Sequence, residues 1–215
     1  MFITFEGGDG SGKSTHASRL EKRLRAEGFS VLLVREPGST GLGQHLREWL
    51  KRDEGTVPMA ELLLFEAARA QLTAEVIRPA LQAGSVVIAD RFSDSTLAYQ
   101  GYGRGLDLAL IRTLNEAATG GLVPNLTVLL DLPAEAALGR AAVRSPGPDG
   151  SKFEDLPGGF HQAVLQGFRA LAAADKNRWA VIRSDVAVEE VERQVWAAVS
   201  ARLRRSPGVA GQASP

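Results

Sequence analysis

Short apolar runs alternate along this chain with longer stretches in which apolar residues recur every three or four positions. Five runs read as buried strands: Met1–Glu6, Ser30–Arg35, Ser85–Ala89, Leu126–Asp131 and Trp179–Arg183. After the first, Ala17, Leu20 and Leu24 share one helical face, with Arg19, Lys22, Arg23 and Glu27 opposite. Leu42–Lys51 is amphipathic, with Leu46, Trp49 and Leu50 on one side. Ala60–Ala83 reads as one long helix, which Pro79 is expected to kink or tighten, and Gly84 stands where a C-capping glycine belongs. Ser93–Tyr99, Leu108–Ala118 (ended by Gly120-Gly121), Ala134–Val143, Phe160–Ala174 and Val188–Leu203 complete the helical set. Asp53–Pro58 reads as a polar connection and Gln100–Gly105 as a glycine-rich turn. Arg144–Lys152 is a loop dense in turn formers, and Ser206–Pro215 is expected to be a disordered tail.

Strands alternating with helices predict an α/β fold: a five-stranded parallel sheet with helices on both faces. No linker or repeat divides the pattern, so residues 1–205 are expected to form a single domain. Ligands of such sheets bind outside the carboxyl ends of the strands. Three polar clusters fall at such ends: the glycine-rich stretch after Glu6, Arg35-Glu36, and Asp90-Arg91.

Composition narrows the partners. The 215 residues carry 25 Lys plus Arg and 25 Asp plus Glu, so any anion site is local and neither nucleic acid nor a membrane surface is expected. Cysteine is absent, which excludes disulfides and thiolate metal sites. His16, His45 and His161 show no metal-ligand spacing and are expected on helix surfaces, and Trp49, Trp179 and Trp196 are expected to pack. The chain enters a strand almost at once, without a signal-like segment, and no apolar run would span a bilayer, so the cytoplasm is the expected location.

Gly7-Gly8-Asp9-Gly10-Ser11-Gly12-Lys13-Ser14-Thr15 fits G-x-x-x-x-G-K-[ST], the phosphate-binding loop, in its required setting between a strand and a helix. The glycines let backbone N–H groups converge on phosphate oxygens, and the helix N-terminus adds its positive dipole end. Lys13 would reach the β/γ-phosphates of ATP, and Ser14 would offer a hydroxyl to Mg²⁺.

Asp90 ends an apolar strand beside that loop, placed to hold Mg²⁺ directly or through water, and Arg91 offers a planar fork for a phosphate. The plainer alternative is a strand-end salt bridge. Phe65 and Arg69 project from one helical face and could stack on and bond to a base. On spacing alone, a core Phe and a surface Arg fit better. Arg140, Arg144 and Lys152 surround the turn-rich loop. They are either a solvated face or the cations of a lid, at about residues 140–153, that closes over phosphates.

Together these clusters resemble the thymidylate kinase family of the nucleoside monophosphate kinase group, which has the P-loop NTPase fold. The resemblance runs from Met1 to about Leu203. It rests on Phe5-Glu6-Gly7 through Thr15, Arg35-Glu36-Pro37-Gly38, Leu64-Phe65-Glu66-Ala67-Ala68-Arg69, Asp90-Arg91-Phe92 and Ser95-Thr96-Leu97-Ala98-Tyr99-Gln100-Gly101. It implies ATP and Mg²⁺ as cofactors, dTMP as substrate and a homodimer of packed helices. Lys13, Arg91, Asp9 and a lid cation would be catalytic. Asp9 would lie near the sugar 3′-hydroxyl, and Glu36 near the acceptor and, with Ser14 and Asp90, the metal. Phe65 would stack on thymine and Arg69 would bond to it. Arg91, helped by Arg35, would hold the acceptor phosphate. Ser95, Thr96 and Gln100 would line the dTMP site, and Tyr99 would exclude a ribose 2′-hydroxyl.

Gly10 stands where one form of the family carries an Arg. The chain therefore resembles the other form, with its transition-state cation in the lid. Lys152-Phe153-Glu154 replaces a common Arg-x-Glu there, which leaves Arg140, Arg144 and Lys152 all open as that cation. Ser39 and Gly41 replace a usual Gly and Pro, and a changed loop shape is expected. A kinase for another nucleotide or small acceptor, and a non-catalytic nucleotide-binding module, are the competing readings.

Overall fold

Strand β1 (Phe2–Glu6) is the middle of a five-stranded sheet in a computed structural model that describes residues 1–52, 55–133, 136 and 156–204. The other strands are β2 (Val31–Arg35), β3 (Val86–Asp90), β4 (Leu126–Asp131) and β5 (Trp179–Arg183), in the order β2-β3-β1-β4-β5. All four pairings are parallel. Parallel neighbours need crossovers, and helices fill these on both faces, as expected.

The side-chain alternation of β1 divides the core. Ile3 and Phe5 pack with Leu20 and Leu24 of α1 (Lys13–Ala26) and with Val191, Val195 and Val199 of the C-terminal helix. Phe2 packs on the opposite face with Leu72, Ile77 and Phe92. A third cluster joins Leu129 and Trp179 to Leu97, Ala98, Val164 and Phe168. Burying each such side chain stabilises the fold by about 1.5–3 kcal/mol.

The remaining helices are α2 (Gly41–Arg52), α3 (Pro58–Leu72), α4 (Arg78–Gln82), α5 (Ser93–Thr96), α6 (Leu108–Thr119), α7 (Gly158–Ala174) and α8 (Val188–Leu203). Thr40 caps α2, its hydroxyl accepting the Gly43 N–H at 3.0 Å. Pro58 opens α3 and does not belong to the preceding connection.

The long helix expected over 60–83 is interrupted. A π-helical turn spans Thr73–Ile77 between α3 and α4. Pro79 has no N–H to give residue 75, and its ring crowds that carbonyl, so the hydrogen-bond register slips just ahead of it.

The turn expected over Gln100–Gly105 is not a turn either. A second π-helical segment runs from Leu97 to Gly103. Its glycines serve contact: a β-carbon at Gly103 would sit 2.5 Å from Phe160 Cε2 of α7. Two further expectations fail on burial. His16 is inside the protein, whereas Trp49 is 45% exposed, because Leu46 and Leu50 carry the contact of α2 with the core.

Candidate active site

The sheet register brings the polar clusters to one edge. Asp90 pairs with Phe5 on one side and Arg35 on the other, so the ends of β1, β2 and β3 lie on a single rung. From Gly7 the chain turns along the edge. Gly7 has φ 140°, and a β-carbon there would lie 2.6 Å from the Leu130 carbonyl oxygen. No other residue type fits that crossing of β4.

Lys13, the first residue of α1, folds back over the loop and donates to the Gly8 carbonyl at 2.8 Å. Burial and the nearby Arg91 push its pKa down to about 8, against the pull of Asp9, Asp90 and Glu6. An ammonium in that state gains strongly from an arriving polyphosphate. Ser14 is exposed and donates to Asp90 Oδ2 at 2.5 Å, while Arg35 Nε lies 3.8 Å from the same oxygen.

Arg91 has a backbone φ of 73°, a left-handed conformation costing about 1–2 kcal/mol for a residue with a β-carbon. Its guanidinium is held on several sides. Nη1 donates to the Gly7 carbonyl at 3.2 Å and to Ser95 Oγ at 3.3 Å. Nη2 donates to Asp9 Oδ1 at 2.5 Å and to Tyr99 Oη at 3.0 Å. Tyr99 in turn donates to Asp9 Oδ2 at 3.0 Å. Burial raises the Asp9 pKa, but Arg91 and Lys13 outweigh it and hold the carboxyl below its ordinary value.

A second guanidinium lies deeper. Arg69, on α3, is 1% exposed and not on the surface, as spacing alone suggested. Nε donates to Glu36 Oε2 at 2.9 Å, and Nη1 donates to Glu66 Oε1 and Asn115 Oδ1, each at 2.8 Å. Nη2 donates to the Phe92 carbonyl at 3.3 Å and lies 2.8 Å from Glu36 Oε2. Burial pushes the Glu36 pKa up to about 7 despite Arg69, and raises that of Glu66.

The chain has many relatives. The family model described as thymidylate kinase matches residues 5–195. A thymidylate kinase from a Synechococcus strain is 53% identical over 203 residues, covering 94% of this chain and 96% of its own. The thymidylate kinase of Deinococcus radiodurans is 49% identical over 203 residues, covering 94% and 97%. The crystal structure of thymidylate kinase from Ehrlichia chaffeensis superposes with a TM-score of 0.76 at 34% identity, covering 93% of this chain and 98% of that one.

The chain belongs to the thymidylate kinase family.

It is therefore a phosphotransferase of the P-loop NTPase fold with ATP as donor. The plan of a thymidylate kinase makes sense of how the expected residues are distributed. Gly7 through Thr15, Asp90 and Arg35 lie along the carboxyl edge of the sheet. Asp9, Arg91, Ser95 and Tyr99 form one hydrogen-bonded cluster beside it.

Thr96 and Gln100 are buried behind that cluster, and the Gln100 amide donates to Glu61 Oε1 at 2.9 Å. Phe65 is half-buried, packed beside Leu46 and Leu50 of α2. All three nitrogens of Arg69 serve protein oxygens, so a bond from it to a base requires giving one up. Phe92 O, at 3.3 Å, is the longest of these bonds. Glu36, expected as a metal ligand, has its carboxylate buried on Arg69.

Ser39 takes the φ of 61° that a glycine would, and its hydroxyl accepts the Arg35 N–H at 3.0 Å, so a glycine-like backbone persists in that loop. Arg140, Arg144 and Lys152, expected in a lid, and the expected tail 206–215 lie outside the described residues.

Sequence reasoning missed several participants. Glu66 stands three residues before Arg69 on the same helix, a spacing that could have revealed the pair. Asn115 and Glu61 gave no such signal, because their partners are distant in the chain. A cavity of about 180 Å³ also opens beside the loop, lined by Gly12, Thr15 and His16 on one side and by Ser184, Val186 and Val188 on the other.

Proposed function

We propose that the edge formed by the loop, Asp90-Arg91 and the Asp9–Tyr99 cluster joins ATP and dTMP for direct phosphoryl transfer. The γ-phosphoryl of ATP passes to the 5′-phosphate of dTMP, giving dTDP and ADP. The observation that carries this reading is Arg91, fixed between Gly7 O and Asp9 so that its fork stands against the phosphate loop.

The acceptor phosphate has a second pKa of about 6, so its attacking oxygen is already deprotonated at neutral pH. No general base is required, and the chain's work is alignment and charge neutralisation. Lys13 leaves Gly8 O for the β/γ-phosphates. Arg91, with Arg35, holds the acceptor. Asp9 positions Arg91 and faces the 3′-hydroxyl, and Tyr99 fills the space a 2′-hydroxyl would need. Phe65 stacks on the thymine, and Ser95, Thr96 and Gln100 close the remaining side. The adenine occupies the cavity beside Gly12 and Val186. A lid over residues 140–153 supplies the last cation from Arg140, Arg144 or Lys152.

Ser14 Oγ and Asp90 Oδ2 are hard oxygen donors 2.5 Å apart, a set suited to Mg²⁺. Bound there with ATP, the ion would neutralise charge on the phosphates. We place the reaction in the cytoplasm; no described helix is long and apolar enough to cross a membrane. A homodimer fits the exposed apolar residues Leu42 and Trp49 on α2, Met59 and Leu63 on α3, and Leu110 on α6.

The test is an ADP-release assay over a panel of acceptors that includes dTMP, dUMP, TMP with ribose, and dCMP. The expected result is MgATP-dependent turnover with a clear preference for dTMP. Equal turnover of the ribonucleotide would defeat the role of Tyr99, and no acceptor-dependent ADP would defeat the reading.

A further inference from the structure

Glu6 has no part in the chemistry above, yet it is the last residue of the central strand and its side chain is wholly buried. Both carboxylate oxygens are used. Oε1 accepts the Phe92 N–H at 2.8 Å, and Oε2 accepts the Ser95 hydroxyl at 2.5 Å. These two donors flank Arg91 in different ways. Phe92 is the next residue, and the peptide leaving the left-handed Arg91 is held by Glu6. The peptide entering it is held by its neighbour on β1, since Arg91 N donates to Phe5 O at 3.0 Å. Ser95 is the residue whose Oγ receives Arg91 Nη1 at 3.3 Å.

A serine hydroxyl has one proton and two lone pairs. With its proton directed to Glu6, Ser95 can only accept from Arg91. In its ionised form Glu6 therefore sets the direction of the bond that aims the guanidinium, and in either form it ties down the strained backbone beneath it. Burial and Asp94 raise its pKa to about 8, against the pull of Ser95, Arg91 and the Phe92 amide. Phe92 is fully buried, so without Glu6 its N–H would be a buried orphan.

We infer that Glu6 is a positioning residue for Arg91, acting through the Ser95 hydroxyl and the Phe92 amide to hold the guanidinium in its phosphate-binding direction. The inference rests on the reading of Arg91 as the acceptor-phosphate ligand.

The experiment compares Glu6→Gln, Ser95→Ala, the double variant and Arg91→Ala in steady-state assays varying dTMP and ATP separately. A thermal melt is recorded for each. In Glu6→Gln the new amide donates to Ser95 Oγ and turns the serine proton toward Arg91. The expected result is a rise of about tenfold in dTMP KM, a fall in kcat, and an ATP KM within about twofold of wild type, with a cooperative melt. The double variant should be no worse than Glu6→Gln, because removing the hydroxyl removes the misdirected donor. A general loosening of the sheet would shift both KM values and give additive effects, and that result overturns the inference.

Wild-type dTMP KM in Glu6→Gln overturns it as well. Should Glu6→Gln fail to fold, Glu6→Asp decides: a selective rise in dTMP KM with a cooperative melt supports the relay, and an unchanged dTMP KM refutes it. Arg91→Ala separates the two levels. If it keeps wild-type activity, the reading of the site fails. If it is inactive while Glu6→Gln is unaffected, only the positioning role fails.

Discussion

Two arginines, Arg69 and Arg91, belong to the same expected site and do opposite things in the fold. The Arg69 side chain is 2% exposed and lies between two carboxylates that are themselves 5% and 7% exposed. The Arg91 side chain is 19% exposed and faces one carboxylate, Asp9, at 22%. Around Arg69, burial dominates, and both acids are pushed toward the neutral form. Around Arg91, attraction dominates, and Asp9 is held ionised.

The difference separates a brace from a tool. Arg69 joins the loop after β2, α3, the Phe92 carbonyl and α6 by hydrogen bonds, and all of its nitrogens are committed. Arg91 sits at the sheet edge, more exposed than Arg69, with its terminal nitrogens held by Gly7 O, Ser95, Asp9 and Tyr99; an anion is the partner we propose for it.

The sharpest break between them is Arg69→Ala. It leaves two buried carboxylates without their cation, and should cost about 3–5 kcal/mol of stability. Urea unfolding measures this, and a loss under about 1 kcal/mol would deny the brace. Arg91→Ala and Lys13→Ala should instead lower turnover by about 10²–10³-fold with the melt nearly retained. Near-wild-type turnover in either would remove that residue from the site.

A pH series sharpens the electrostatic half of the comparison. Glu36 rises to about 7 in the folded chain from an ordinary 4.5. Between those values the folded chain holds more protons than the unfolded one, so this contribution to stability falls as pH rises. Asp9, shifted down, contributes stability that is lost only as pH falls through its own lower range. Glu36→Gln should flatten the decline in melting temperature from about pH 5 to about 7; an unaltered slope would exclude Glu36 as its source.

The smallest expected effect is at Tyr99. Tyr99→Phe removes the hydroxyl shared by Asp9 and Arg91. It should raise dTMP KM by about three- to tenfold, in line with about 1 kcal/mol for one net hydrogen bond. Unchanged dTMP KM would show that the guanidinium is oriented without the Tyr99 hydroxyl.

Much of this was legible in the order of residues. The five strands, their parallel arrangement and the phosphate loop follow from local patterns: short apolar runs, glycines at a turn, a lysine and a serine opening a helix. Lys13, Ser14 and Asp90 came with them, because strand ends beside such a loop meet at one edge. The two π-helical segments were not legible. A π turn differs from an α turn in which carbonyl accepts, and one short segment of it leaves no mark in the apolar pattern.

The burial of Arg69 was not legible either. Spacing alone made it a surface residue, and only folding brings Glu36 and Asn115 to it from 33 residues before and 46 after. The same holds for Glu6. Its place at the end of β1 is read directly, but its partners Phe92 and Ser95 lie 86 and 89 residues away. Local order thus decides which backbone groups pair and where charge enters the edge, since those depend on near neighbours and on the two-residue period of a strand. Which charges end up buried, paired and directional depends on elements distant in the chain meeting in a low-dielectric interior, and only the tertiary structure settles that.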